Sequence, residues 1–336
     1  MSVPVYSMPM EFPPAPFDGR RFGNASGKRQ RYDRVLRWLL TRERKRWPAR
    51  VAGAAAPSPV ERVDDGSIRA TVVGHSTVLL QAAGLNVLTD PVWSPRIGPL
   101  PWLGIKRVTP PALAFAALPK VDVVLLSHNH YDHLDRPTLA ALARRDEPLV
   151  VTGLKVGKRV PSKNIVELDW WGSHLLSKQV RATYVPAEHF SARTPFDRNA
   201  SLWGGFVLET PAGTIYFAGD TGAGAHFAAI KQRFGPITLS LLPIGAYEPR
   251  WFMAPVHIDP HEAVQASLTL QSQVTLPIHY RTFRPADEDF EAPERTLAQA
   301  IAAARAARSS SRGLDFRVGS LGEPTTVSAR QVTAAE

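Results

Sequence analysis

The sequence predicts an α/β fold with a mixed β-structure divided between two sheets. Three observations predict it. From residue 68 onward, short β-rich runs recur at close intervals and alternate with helical stretches. The run 121–126 is apolar throughout, the signature of a strand buried on both faces. The number of such runs calls for two sheets rather than one.

The elements follow in order. Residues 1–65 are rich in Pro, Arg and Ala, show little strand pattern and read as an N-terminal extension to a main domain over 66–336. Inside the extension Tyr32, Val35, Leu36, Leu39 and Leu40 recur at helical spacing, on one face of a helix. Strands are expected at 68–73, 77–81 and 86–88, with a turn at Ala83-Gly84. Residues 91–111 form a Pro-rich loop carrying Trp93, Trp102 and Lys106; it is too long for a routine connection, and such loops are often functional. After the buried run a helix starts near 135–137, with Asp135 as its N-cap, and runs through Leu142. Further strands are expected at 149–152, 165–168, 180–185, 203–209, 214–218, 239–242 and 274–278. Asp259-Pro260-His261-Glu262 opens another helix, with Asp as N-cap, Pro at N1 and Glu at N3. An Ala-rich helix is expected over 294–308.

Composition narrows the class. With 336 residues, 44% of them hydrophobic, the chain has material for a sizeable core. No run approaches the ~18 apolar residues of a membrane-spanning helix. The opening residues lack a basic stretch followed by an apolar one, so no secretory signal is expected and a cytoplasmic location is. Cysteine is absent, so any metal must be held by His and carboxylates.

Charge is concentrated. Residues 20–50 hold twelve Lys or Arg against two acids and so carry the whole net charge of +10. Elsewhere 28 bases face 28 acids, which argues against a nucleic-acid groove on the body. Arg31, Arg34, Arg37 and Arg42 accompany the apolar helix stripe, which can serve the body or an anionic membrane surface. Docking on the body through Leu36, Leu39 and Leu40 is favoured, because the stripe is short and Trp38 falls off it. The exposed bases would still steer the protein to anionic lipid, so peripheral, salt-sensitive membrane contact is expected.

The chemistry lies in His128-Asn129-His130-Tyr131-Asp132-His133, directly after the buried run. Three imidazoles and a carboxylate in six residues make a poor core and a good metal site. His128 and His130 can face one ion, and Asp132 and His133 can turn toward a second. Later strand ends supply His189, Asp220 and His279.

HNHYDH followed by spaced His, Asp and His resembles the metallo-β-lactamase superfamily, whose motif is HxHxDH. TDPVWS (89–94), KRVTPP (106–111), SHNHYDHLD (127–135), ELDWW (167–171), SARTPFDRN (191–199), SLWGGFV (201–207), FAGDTG (217–222) and GAYEPRWFM (245–253) together resemble the N-acyl-phosphatidylethanolamine-hydrolysing phospholipase D family and its bacterial relatives. The resemblance spans residues 70–325 and implies an αββα sandwich, two mixed sheets flanked by helices. It implies two Zn2+ per chain: one on His128, His130 and His189, the other on Asp132, His133 and His279, with Asp220 bridging. It implies a phosphodiesterase of the phospholipase D type, in which a metal-bridging hydroxide attacks phosphorus, with catalytic roles for Asp132, Asp220 and His257.

His257, in MAPVHIDP, would contact phosphate or serve as general acid; the plainer reading is a helix-entry histidine bonded near Asp259. Asp90 reads as a carboxylate that fixes the ligand loop. Trp93, Trp102, Lys106, Tyr247 and Trp251 are candidates to line a substrate groove, with packing as the default for the aromatics. His75, His174, His226 and His261 read as structural or exposed, His75 least securely because it follows a strand. Two other functions compete: a lactonase or related hydrolase on the same metals, and a nuclease or RNA-binding protein using the basic arm.

Overall fold

The computed structural model describes residues 12–27, 32–43, 45–53, 56–100, 102–307 and 314–328. Arg31 of the basic arm and the expected helix end at residue 308 lie outside the described residues. α1 (Tyr32–Thr41) precedes the sheets. Next come β1 (Ile68–Gly74), β2 (Thr77–Ala82), β3 (Leu85–Thr89), β4 (Arg96–Leu100), β5 (Leu103–Lys106), β6 (Val123–Leu126), α2 (Arg136–Arg145), β7 (Leu149–Gly153) and β8 (Ile165–Leu168). They are followed by β9 (Ser173–Leu175), β10 (Arg181–Val185), β11 (Gly205–Thr210), β12 (Gly213–Phe217), α3 (His226–Phe234), β13 (Leu239–Pro243), α4 (Arg250–Met253), α5 (Pro260–Thr269), β14 (Val274–Ile278), α6 (Ala292–Ala306) and β15 (Pro324–Val327).

Two mixed sheets carry the fold. One runs β15-β1-β2-β3-β6-β7-β8, the other β14-β13-β12-β11-β10-β9. In each, an antiparallel meander passes into parallel strands: β3, β6, β7 and β8 in the first, β12, β13 and β14 in the second. The period-2 alternation of the strands divides their side chains between two layers. Val123 and Leu125 of β6 meet Tyr184, Phe206, Phe217 and Leu241 of the opposite sheet in the central core. Val124 and Leu126 turn the other way, onto Leu139 and Leu142 of α2. Tyr216 of β12 likewise turns outward, into a cluster with Phe227, Val264 and Leu297 of α3, α5 and α6. The layers are helix, sheet, sheet, helix, as expected.

Three local readings need correction. The 91–111 segment is not all loop: 96–106 folds into the β4–β5 hairpin. Its backbones cross so closely that a Cβ on Gly104 would run into the Ile97 carbonyl, so glycine permits a turn that the prolines disguise. Asp135 does precede α2, but its carboxylate makes no capping bond to the helix. It instead accepts from Trp93 N, Ser94 N and Ser94 Oγ, at 3.2, 3.0 and 2.8 Å, and pins the start of that segment. At Asp259 the expected capping box is complete: its carboxylate accepts from Glu262 N at 2.9 Å, and Glu262 accepts from Asp259 N at 3.0 Å.

The third correction concerns α1. The helix does dock on the body, but through Val35 and Trp38, which pack on Ala246, Phe252, Met253 and Ala286. Trp38 stacks on Phe252 at 4.9 Å and donates its indole N–H to Asp287 at 2.8 Å. Leu36, Leu39 and Leu40 face outward, 60%, 53% and 78% exposed.

Candidate metal centre

Seven chain segments converge at one edge of the sandwich. Six follow the C-terminal end of a strand: His75 after β1, Asp90 after β3, residues 128–133 after β6, His189 after β10, Asp220 after β12 and His279 after β14. The seventh brings His257 from between α4 and α5. His75, Asp90 and His279 all sit in the left-handed region, at φ 55°, 30° and 60°. Non-glycine residues there store strain that the surroundings must hold, a recurrent feature of functional sites.

The donors form two sets about one carboxylate. Nε2 of His128 and Nε2 of His189 lie 2.8 and 3.3 Å from Nδ1 of His130. On the other side, Asp132 Oδ2 is 3.1 Å from His75 Nε2, 3.4 Å from His279 Nε2 and 3.7 Å from His133 Nε2. Asp220 Oδ2 stands between the sets, 3.1 Å from both His133 and His279 Nε2, 3.8 Å from His189 Nε2 and 3.9 Å from His257 Nδ1.

Protonation follows from burial and company. Desolvation, aided by neighbouring imidazoles, drives His128 well below its ordinary pKa and takes His130 to about 3. His189 falls to about 4, also by burial. These three are therefore neutral, the form that binds metals. Burial opposes charge on His133 and His279 too, but Asp220 and Asp132 outweigh it; His279 rises to about 9, and His133 lies well above its usual value. Both carboxylates stay ionised, held well below the usual range by the imidazoles despite their desolvation. Two anions, Asp220 buried and Asp132 half-buried, thus draw positive charge to this spot.

A divalent cation fits that demand. Nε2 of His133, Nε2 of His279 and Oδ1 of Asp220 are buried and make no well-aligned hydrogen bond among the described residues. Imidazole and carboxylate donors without thiolate suit zinc and similar borderline ions.

The surroundings aim these groups. Asp90 Oδ2 binds His133 Nδ1 at 2.6 Å and Ser127 Oγ at 2.5 Å, so His133 presents Nε2 inward. His189 Nδ1 donates to the Val256 carbonyl at 2.8 Å. Gly219, at φ 60°, lets the chain reach Asp220; a Cβ there would stand 2.7 Å from Ser127 Cβ.

Two contributors escape a sequence reading. His75 is no bystander: it is buried, bonded to Asp132, and its ring lies 4.1 Å from that of His279. The N-terminal arm also reaches the centre, where Asn24 Oδ1 accepts from His189 N at 3.1 Å and from Trp203 Nε1 at 3.0 Å. Asn24→Leu is expected to loosen the His189 loop and cost about tenfold in metal affinity, in the range of an outer partner of a ligand. Competition with a weak chelator checks this; unchanged retention would make the arm mere packing.

The groove candidates scatter. Trp93 is turned under α2, its Nε1 bonded to the Leu113 carbonyl at 2.9 Å, and packs on Phe115 instead of lining a groove. Tyr247 is buried, its hydroxyl 3.4 Å from Thr296 Oγ1 of α6. Trp102 and Lys106 are exposed on the β4–β5 hairpin, and Trp251 is 38% exposed under the Arg37 guanidinium. His174 is half-buried and His261 exposed, whereas His226 is buried with its Nε2 3.2 Å from Thr221 Oγ1, next to Asp220.

Comparison with known proteins agrees with this geometry. The beta-lactamase superfamily domain matches residues 85–280. An uncharacterised protein of Mycobacterium tuberculosis is 40% identical over 277 residues, 80% of this chain and 73% of its own. N-acyl-phosphatidylethanolamine-hydrolyzing phospholipase D 1 of Caenorhabditis elegans is 34% identical over 232 residues, 65% of each chain. The fold is shared with Igni18, a metallo hydrolase of Ignicoccus hospitalis, at a TM-score of 0.56 and 22% identity over 77% of this chain and 98% of that one. The chain belongs to the metallo-β-lactamase superfamily and is a metal-dependent hydrolase of that fold.

Proposed function

We propose that the protein is a dinuclear zinc phosphodiesterase that hydrolyses a phospholipid of the N-acyl-phosphatidylethanolamine type. The observation that carries the reading is the pair of donor sets around Asp220; similarity to a phospholipase D of that specificity supplies the substrate class. His128, His130 and His189 would hold one zinc, Asp132, His133 and His279 the other, and Asp220 would bridge. Bound zinc would bring the pKa of a water toward ~7 and neutralise phosphoryl charge. The chain does the rest. Asp90 and the Val256 carbonyl fix imidazole orientation. His257 and Asp132 keep 12% and 15% side-chain exposure, marking the open side where a phosphodiester would enter.

A hydrolysis panel tests this. Zinc-loaded protein should cleave N-acylated phosphatidylethanolamine and bis-p-nitrophenyl phosphate, lose both activities to chelator and regain them with zinc. A far higher kcat/KM on a homoserine lactone or a β-lactam would overturn the reading.

The substrate class implies contact with a lipid surface. Among the described residues no helix is long and apolar enough to cross a membrane. α1 instead turns Leu36, Leu39 and Leu40 outward beside the exposed Arg34 and Arg37. It rests on α4, a few residues ahead of His257. Apolar insertion with basic flanks is the design of an interfacial helix, each base adding about 1 kcal/mol near anionic lipid. Co-sedimentation with anionic vesicles should be strong at low salt, weaken at high salt and fall in a Leu36→Ser/Leu39→Ser/Leu40→Ser variant. Equal binding to neutral vesicles would refute the electrostatic part.

A further inference from the structure

Outside the metal centre, a cavity of about 380 Å3 opens between the β4–β5 hairpin, the start of α2 and the 193–194 turn. Four arginines line it, Arg96, Arg136, Arg159 and Arg193, against one acid, Asp135. Asp135 has little left to offer. Its oxygens already accept from two backbone N–H groups and from the hydroxyls of Ser94 and Thr138.

The arginines are unevenly employed. Arg193 sits over Tyr131, its guanidinium carbon 3.9 Å from the ring centroid, and donates through Nη1 to the carbonyls of Asn129, His130 and Leu134. It braces the back of the ligand segment. Arg96 spends Nη1 on the Gly104 carbonyl at 2.7 Å, and Arg159 meets Asp197 at 3.1 Å. Arg136 forms no ion pair among the described residues, and it and Arg159 lie close enough to press on the charge of Arg193, whose pKa is lowered chiefly by burial. Like charges gathered on a concave wall repel one another and favour an anion between them. Guanidinium forks match the oxygens of a phosphate in particular, and a terminal phosphate offers three oxygens and close to two charges at neutral pH.

We propose that this cavity is a binding site for a terminal phosphate group, separate from the metal centre. Its rim favours a lipid as the carrier of that group. Leu100 lines the cavity and is 43% exposed; Trp102 and Leu103 continue the hairpin at 73% and 55%; Phe196 stands at 86% just past the Thr194 wall. A phosphate monoester headgroup in the cavity would leave its tails against this apolar edge. The site needs no metal and stands whether or not the phospholipase reading does.

The test compares wild-type protein with Arg136→Gln/Arg159→Gln, and with Arg136→Gln alone, which breaks no ion pair. Arg193 is left intact because it braces the ligand segment. Soluble probes are inorganic phosphate and glycerol 3-phosphate, measured by calorimetry. Vesicle probes are phosphatidylcholine with equal mole fractions of phosphatidate or of phosphatidylglycerol. Any phosphate bound by the metals is common to all three proteins, so the difference between them is the readout. The double variant is expected to lose about tenfold in affinity for the phosphate probe, and the single variant part of that. Wild type should prefer phosphatidate to phosphatidylglycerol, and the double variant should lose the preference. Loss toward soluble and vesicle probes alike marks a site for any terminal phosphate; loss toward vesicles alone marks a lipid headgroup site. Unchanged affinity and preference in both variants would overturn the proposal. Zinc content and turnover of bis-p-nitrophenyl phosphate should be the same in all three proteins; if they fail in wild type too, the phospholipase reading falls and the phosphate site is judged on binding alone.

Discussion

Asp220→Asn is expected to lower turnover about a thousandfold and to leave the protein with fewer than two bound metal ions. Asparagine keeps the shape but removes the charge. One carboxylate oxygen, Oδ2, lies 3.1 Å from the inward nitrogens of both His133 and His279 and 3.8 Å from that of His189, so the substitution touches both donor sets at once. It also aims an amide at imidazole nitrogens that Asp220 now draws toward the protonated form, chiefly against the pull of burial. A partner that only orients a ligand typically costs 10–100-fold when lost. Asp90→Asn, which disturbs His133 from behind through Nδ1, belongs in that smaller class. Elemental analysis with kcat/KM on a soluble phosphodiester checks both variants. Two metals and full activity in Asp220→Asn would remove Asp220 from the centre.

The contrast between what sequence shows and what it hides follows contact distance along the chain. HNHYDH is legible because four donors fall within six residues at a strand end, where few packing arguments can explain them. His75 is not: its partner Asp132 is 57 residues away and its ring neighbour His279 much further, so the sequence shows only a lone histidine after a strand. Asn24 belongs to no motif of the sequence, and nothing local reveals that its side-chain oxygen accepts from the backbone of His189, 165 residues on. In α1 the hydrophobic stripe is right as a helix signal and wrong as a docking signal. Val35 and Trp38 share a different helical face, and the body meets it because Asp287 accepts from the Trp38 indole and from the guanidinium of Arg42, just past the helix end. Apolar spacing does not register such half-polar contacts. The strands were easier, since period-2 alternation and burial on both faces are local properties that the two-sheet packing then reuses.

His257→Ala is expected to keep both metals and lower kcat about a hundredfold, near the bottom of the range for a positioned proton donor or acceptor. The ring lies within 5.1 Å of His189 and 5.5 Å of His279, yet its nearest carboxylate oxygen, on Asp220, is 3.9 Å from Nδ1. With His189 and Asp220 it forms a third, smaller donor group beside the two main sets, so the metal content of this variant separates a ligand from a group that acts on substrate. It is not the helix-entry histidine of the plainer reading: Asp259 is engaged with Glu262 and Arg250, and the His257 backbone is held by Met253 and Arg250. Burial drives its pKa well below the usual histidine value, more strongly than Asp220 raises it. Neutral imidazole suits a fixed N–H donor to a phosphoryl or leaving-group oxygen better than it suits a general acid, which would need imidazolium. The two roles separate by pH. A neutral donor predicts the same fold-loss in kcat at pH 6 and pH 9, whereas a general acid predicts a loss that shrinks as the wild type deprotonates. Metal loss in His257→Ala would assign the residue to the ligand shell, and a His257→Gln variant that regains part of kcat with both metals bound would identify the hydrogen bond as what the ring supplies.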